Sequence, residues 1–186
     1  MNRPSSTAPL MAICLLAACA LGRARDELPT VDVAPTDQDF LKSAAEVYAF
    51  ETQASDIALK QASTPEVKSY AQAMARDYSR ANGELSALAS RKSVDISQPL
   101  TANDQGLLHH LADLRGADFD QDYAQAVAVG IHVQAVSAFK AESSAGTDPD
   151  IKAWATRTLP TLQQHLQLAR HLKVTTDDTA DSPAQQ

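Results

Sequence analysis

The sequence predicts an all-α fold, a bundle of four long helices, and three observations lead there. Alanine is abundant while alternating runs of Val, Ile and Thr are missing, a composition that favours helices over strands. Apolar residues recur at steps of three and four along four separate segments. Proline-marked start signals stand before the second and fourth of them. With 186 residues, 44% hydrophobic and 21% charged, the chain can bury one domain-sized core and is not a disordered polymer.

Export signals come first along the chain. Met1 to Pro9 carries Arg3 and no acid, and Leu10 to Ala20 is apolar but too short for a permanent bilayer-spanning helix. Leu16-Ala17-Ala18-Cys19 matches the bacterial lipobox, small residues just before a cysteine. Residues 1–19 therefore read as a signal peptide with a lipobox. A diacylglycerol is expected on Cys19, making the membrane a partner through that anchor. Ordinary cleavage after Ala18-Cys19-Ala20 also satisfies the small-x-small rule and would release a free periplasmic protein. Either route places the domain on the periplasmic side of the bacterial envelope. Both cysteines, Cys14 and Cys19, lie in this segment, so the bundle itself has neither thiol chemistry nor disulfides.

Residues 20–35, with Pro29, Pro35 and mixed charges, read as a flexible tether, and residues 36–173 as the bundle. Thr36 with Asp39 resembles a capping box opening a first helix that runs to about Ala62. Its apolar stripe is Phe40, Ala44, Val47, Glu51, Ala54 and Ala58. Thr64-Pro65-Glu66 starts the second helix: Thr64 can cap, Pro65 suits the first turn, and Glu66 suits the positive end. That helix runs to about Arg91 along Val67, Ala71, Met74, Tyr78, Ala81, Leu85 and Leu88. Lys92 to Ala117 is a long connection in which Thr101 and Asp104 start a short helix stopped by Gly116. The third long helix is expected from about Asp118 to Ser144, apolar over a wide arc that includes Val133. Gly130 at its centre suggests close approach of a neighbour. Asp148-Pro149-Asp150 starts the fourth, which ends near Leu172 and should kink before Pro160. Residues 174–186 read as a disordered tail.

Thr64-Pro65-Glu66-Val67-Lys68 parallels Asp148-Pro149-Asp150-Ile151-Lys152, so the second and fourth long helices begin alike. Two hairpins joined by a long crossover, carrying a short extra helix, give the connectivity of a ferritin-like four-helix bundle.

Each long helix carries one polar residue on its apolar stripe: Glu51, Tyr78, His132 and His165. Each lies near the middle of its helix, so the four are expected at one height in the core. Buried polar groups need partners, and these four can satisfy one another as a structural network that fixes packing and register. They are also good ligands for one iron, zinc or manganese ion. A di-iron centre would need a Glu three positions before each histidine, where Val129 and Leu162 stand, so a mononuclear site is the metal alternative. Asp77 adjoins Tyr78 as a supporting group. His109, His110 and His171 read as surface residues, Glu142 as a surface acid, and Tyr70 and Trp154 as packing residues. Asp118, Asp120 and Asp122 read as helix-capping acids, since no glycine-bearing calcium loop surrounds them.

Phe40, Glu51, Pro65-Glu66-Val67-Lys68, Met74, Asp77, Phe119-Asp120, Tyr123, His132, Phe139, Leu159-Pro160 and His165-Leu166 together resemble the bacterial family called domain of unknown function 4142. The resemblance covers about Asp39 to Leu172. It implies a ferritin-like bundle in the envelope with no established activity. The family carries Asp-His where this chain has Asp77-Tyr78, so one histidine of that pattern is replaced by a phenol.

Function classes narrow accordingly. A formal charge of −7 repels phosphate backbones, which argues against nucleic acid as a partner. No nucleophile motif, phosphate loop or Cys/His zinc pattern is present, so no catalytic residue is assigned. The leading expectation is a non-enzymatic envelope protein with a binding, structural or stress-related role. The alternative is a metal-binding bundle with a mononuclear core site. A homo-oligomer, or docking to another envelope protein, would call for a large exposed apolar face.

Overall fold

The computed structural model describes residues 33–180, with side chains to residue 172. The expected signal peptide, the lipobox with Cys19, most of the expected tether and the end of the expected tail lie outside these residues. The described part is all helical: α1 Pro35–Gln61, α2 Pro65–Arg91, α3 Ala102–Asp113, α4 Gly116–Asp122, a π-helical stretch Tyr123–Ile131, α5 His132–Ala145 and α6 Pro149–Ala180. Among the described residues no strand forms, only an isolated bridge between Ala62 and Gly116. None of their helices is long and apolar enough to cross a membrane.

The helices form two hairpins. α1 packs along α2, and the third long helix (α4, the π-helical stretch and α5 in succession) packs along α6. α1 also meets α5, and α2 meets α6, which closes a four-helix bundle. The crossover carries α3 back along α1. There Gln61 Nε2 donates to the Ala112 carbonyl at 3.2 Å, and the Thr101 N–H donates to Glu46 Oε1 at 3.0 Å.

Local chemistry sets the helix starts. Thr64 Oγ1 accepts from the Val67 N–H, Thr101 Oγ1 accepts from the Asp104 N–H at 3.1 Å, and Asp148 Oδ1 accepts from the N–H groups of Asp150 and Ile151. α1 differs from its sequence expectation. It begins at Pro35 with no side-chain cap, because proline at the first position is already set to helical φ. Asp39 is exposed beside Lys42 instead of serving a capping box with Thr36.

The hairpin turns are held from across the bundle. Asp37 of α1 takes the Thr147 N–H, the Thr147 hydroxyl at 2.8 Å and the Asp148 N–H at 2.6 Å. Asp120 of α4 takes the Ser63 N–H, the Ser63 hydroxyl at 2.6 Å and the Thr64 N–H at 2.9 Å. Each hairpin thus lends an aspartate to the turn of the other. Burial opposes the charge on Asp37, yet the bonds from Asp148 and Thr147 hold its pKa below the ordinary carboxylate value.

Four further expectations are corrected. Gly130 is not at a close helix crossing: a Cβ there would meet only Gln125 O of its own helix, at ordinary contact distance. Glu142 is buried, because Gly146 one turn on has no Cβ to occupy the space its carboxyl fills. Val133 is 46% exposed, since the π-helical stretch rotates it off the core face. α6 continues to Ala180 past Leu172, with Pro160 inside it, because neither glycine nor proline follows until Pro183. The large exposed hydrophobics among the described residues are Leu59, Val133 and Leu168, one each on α1, α5 and α6.

Candidate functional site

Four helices meet at one polar cluster. Glu51 comes from α1, Tyr78 from α2, His132 from the first position of α5 and His165 from α6. Glu51 and His132 are fully buried, and Tyr78 and His165 nearly so. The Tyr78 hydroxyl and His132 Nε2 share a hydrogen bond of 2.9 Å. On the other side of the ring, His132 Nδ1 lies 3.4 Å from Glu51 Oε1. The rings of His132 and His165 meet edge to face with centroids 5.6 Å apart, and Tyr78 lies 5.8 Å from His165. Asp77 Oδ2 lies 3.0 Å from His165 Nε2, while its other oxygen accepts from Arg80. A carboxylate there places the His165 proton on Nε2 and leaves Nδ1 as a lone pair.

The π-helical stretch explains how the third long helix contributes. At 3.6 residues per turn, the nine steps from Tyr123 to His132 make roughly two and a half turns, which would put the two on opposite faces. Bonding to the fifth residue winds the same segment in fewer turns and brings both inward. Tyr123 and His132 are accordingly both fully buried, and Tyr70 contacts each, at ring distances of 6.2 and 6.4 Å.

Burial controls the charges. It raises the Glu51 carboxyl well above its ordinary pKa. It also lowers His132 to about 4, with His165 adding to the effect. His165 is lowered as well, again by burial first, although Asp77 pulls the other way. Burial thus favours the uncharged form of each group: the protonated Glu51 carboxyl, the Tyr78 phenol and the neutral imidazoles of His132 and His165. The His132 tautomer that accepts from the Tyr78 hydroxyl carries its own proton on Nδ1, facing Glu51.

Several buried polar atoms remain without a hydrogen-bond partner: both Glu51 oxygens, His165 Nδ1, and the hydroxyls of Tyr48 and Tyr70 among them. The Glu51 case is the most costly, since an unsatisfied buried group loses about 1–3 kcal/mol, more if charged. Among the described residues no three His, Cys, Asp or Glu side chains converge to hold a metal ion. A cleft of about 130 Å³ between α2 and α6, lined by Tyr48, Asp77, Tyr78, Trp154 and His165, reaches the cluster from solvent on the His165 side.

The sequence-predicted residues Glu51, Tyr78, His132, His165 and Asp77 thus share one neighbourhood. Cys19 lies outside the described residues. Tyr70 and Tyr123 also border the cluster; Tyr70 reads from sequence as packing, and the lining role of Tyr123 is hidden by the α-helical spacing. His110 is exposed and lies 2.7 Å from Asp122. His109 and His171 are also exposed. Trp154 packs in an aromatic group with Phe40 and Phe139.

Over residues 23–172 the chain matches the family described as Domain of unknown function (DUF4142). No curated protein matches it in sequence. Among solved structures, its fold is similar to that of "CopM in the Cu(II)-bound form", with a TM-score of 0.63 at 16% identity, covering 75% of this chain and 96% of that one.

Proposed function

The chain belongs to the DUF4142 family, and from that premise we propose that it is an exported protein of the bacterial envelope that works by binding, taking up one transition metal ion at the centre of its bundle. The observation that carries the reading is Glu51. It is fully buried, neither of its oxygens has a hydrogen-bond partner, and His132 Nδ1 lies 3.4 Å away. A carboxyl group in that state is stabilised by an occupant.

The shape of the site favours binding over catalysis. Glu51 and His132 have no exposed surface, so no organic substrate can touch them, and the narrow cleft beside them reaches only as far as Tyr78 and His165. Glu51, Tyr78, His132 and His165 bring polar atoms from all four long helices into one neighbourhood, and Asp77 orients His165 as a carboxylate orients a metal-binding imidazole. A metal would therefore tie both hairpins together. The similar fold of CopM in the Cu(II)-bound form supports a metal-related role and adds copper to the ions worth offering. The export pattern ending at Cys19 supports the envelope location, through a lipid anchor or as a free periplasmic domain.

Native mass spectrometry of the mature protein, after separate exposure to copper, zinc, iron and manganese, tests the reading. One ion per chain in the parent and none in a His132→Ala, His165→Ala variant is the expected result. No bound ion in the parent, with a large stability loss in the variant, would make the cluster a structural network instead.

A further inference from the structure

The Nδ1 side of His132 faces a second group of polar atoms. Glu51 lies 3.4 Å from Nδ1. Tyr70 contacts the His132 ring and the Tyr123 ring, and Ser55 sits beside the Tyr123 hydroxyl. Glu51, Ser55 and Tyr123 are fully buried, and Tyr70 is 7% exposed. Both Glu51 oxygens and the Tyr70 hydroxyl are buried with no hydrogen-bond partner. Native cores contain few such atoms, and here several adjoin one imidazole.

We propose that this group of side chains is a ferric iron site whose ligands are the Glu51 carboxylate, the Tyr70 and Tyr123 phenolates and His132 Nδ1. The inference rests on the metal reading above: it keeps Glu51 and His132 as ligands, puts Tyr70 and Tyr123 in place of Tyr78 and His165, and names the class of ion. Carboxylate and imidazole alone give two donors, too few for a buried ion, and the phenols raise the set to four. Phenolate and carboxylate oxygens are hard donors and select a hard cation. Charge decides between valences. One carboxylate and two phenolates carry three negative charges against a neutral imidazole, so a trivalent ion leaves the sealed core neutral. A divalent ion reaches neutrality only when one phenol keeps its proton, which removes one of the phenolate donors. On binding, Glu51, Tyr70 and Tyr123 each release a proton to solvent. His132 changes tautomer: its Nε2–H donates to the Tyr78 oxygen and its Nδ1 lone pair turns to the ion. Tyr78 then orients the ligand from behind.

The test is refolding of the mature protein from urea with ferric nitrilotriacetate, so that a sealed core is no barrier to loading. The expected result is one iron per chain and a visible phenolate-to-iron charge-transfer band. Tyr70→Phe and Tyr123→Phe should each weaken iron binding by at least the roughly 10–100-fold that loss of a supporting group costs. The double variant should lose the band. Tyr48→Phe, whose hydroxyl lies toward Glu84, should keep it. Circular dichroism and urea midpoints of the iron-free variants verify folding, since each substitution removes only a hydroxyl. Iron bound without the band, or zinc or copper bound in dependence on His165 while iron is refused, would overturn this site and leave the metal reading standing. Failure to bind any of these ions would remove both.

Discussion

Acid titration of stability reports directly on the buried imidazole. His132 is fully buried, and burial, reinforced by His165, pulls its pKa from 6.5 to about 4. In the unfolded chain the imidazole keeps its ordinary value. Between those limits the unfolded state binds a proton and the folded state does not, so stability falls as pH drops through the window and levels off below it. The window spans roughly 2.5 pH units, and at ~1.36 kcal/mol per unit the loss is about 3 kcal/mol. Glu51 works in the opposite sense. Its raised pKa makes the folded state hold a proton that the unfolded state releases, so its contribution improves as pH falls toward 4.5. Urea unfolding at pH 7, 5 and 4 on the metal-free parent and on His132→Asn separates the two, because Glu51 is present in both. The parent should lose about 3 kcal/mol more than the variant between pH 7 and pH 4. Equal losses would refute a neutral, desolvated His132.

Four further outcomes follow from single contacts. Asp120→Ala strips the acceptor from two backbone N–H groups and the Ser63 hydroxyl, and should cost about 2–4 kcal/mol in urea unfolding. Asp39→Ala, at the exposed position that sequence alone favours as a cap, should stay within about 0.5 kcal/mol. Tyr78→Phe leaves His132 Nε2 buried without its partner and should cost about 1–3 kcal/mol, with the His132 ring resonances shifted in NMR spectra. Gly146→Ala drives a Cβ into the Glu142 carboxyl and carbonyl. It should lower the thermal midpoint by an amount equivalent to about 1–3 kcal/mol, and Glu142→Ala in the same chain should return part of that loss.

The helices and the cluster were legible where local chemistry decides. Thr64-Pro65 and Asp148-Pro149 mark helix starts because their caps act within one turn. Glu51, Tyr78, His132 and His165 stand out as polar residues on apolar stripes, and mid-helix placement is enough to bring them to one height. What stayed hidden depends on distant partners or altered winding. Asp37 and Asp120 serve turns far along the chain, so no local pattern marks them. The burial of Glu142 depends on a glycine beyond its own helix. At α spacing Tyr123 and His132 fall on opposite faces, which hides that Tyr123 borders the cluster. The sign of the change is present, though: buried positions Phe119, Tyr123, Val127, His132, Ala135 and Phe139 step by four, four, five, three and four. That single step of five is the extra residue that the π-helical stretch absorbs.

Crystals of the mature protein grown after metal loading, with anomalous diffraction collected at the absorption edge of the bound ion, test the central claim most directly. An anomalous peak in the core between Glu51 and His132, within bonding distance of both, is the predicted result. A peak confined to surface groups such as His109 and His110, with Glu51 still unpartnered or hydrogen-bonded only to water, would contradict it.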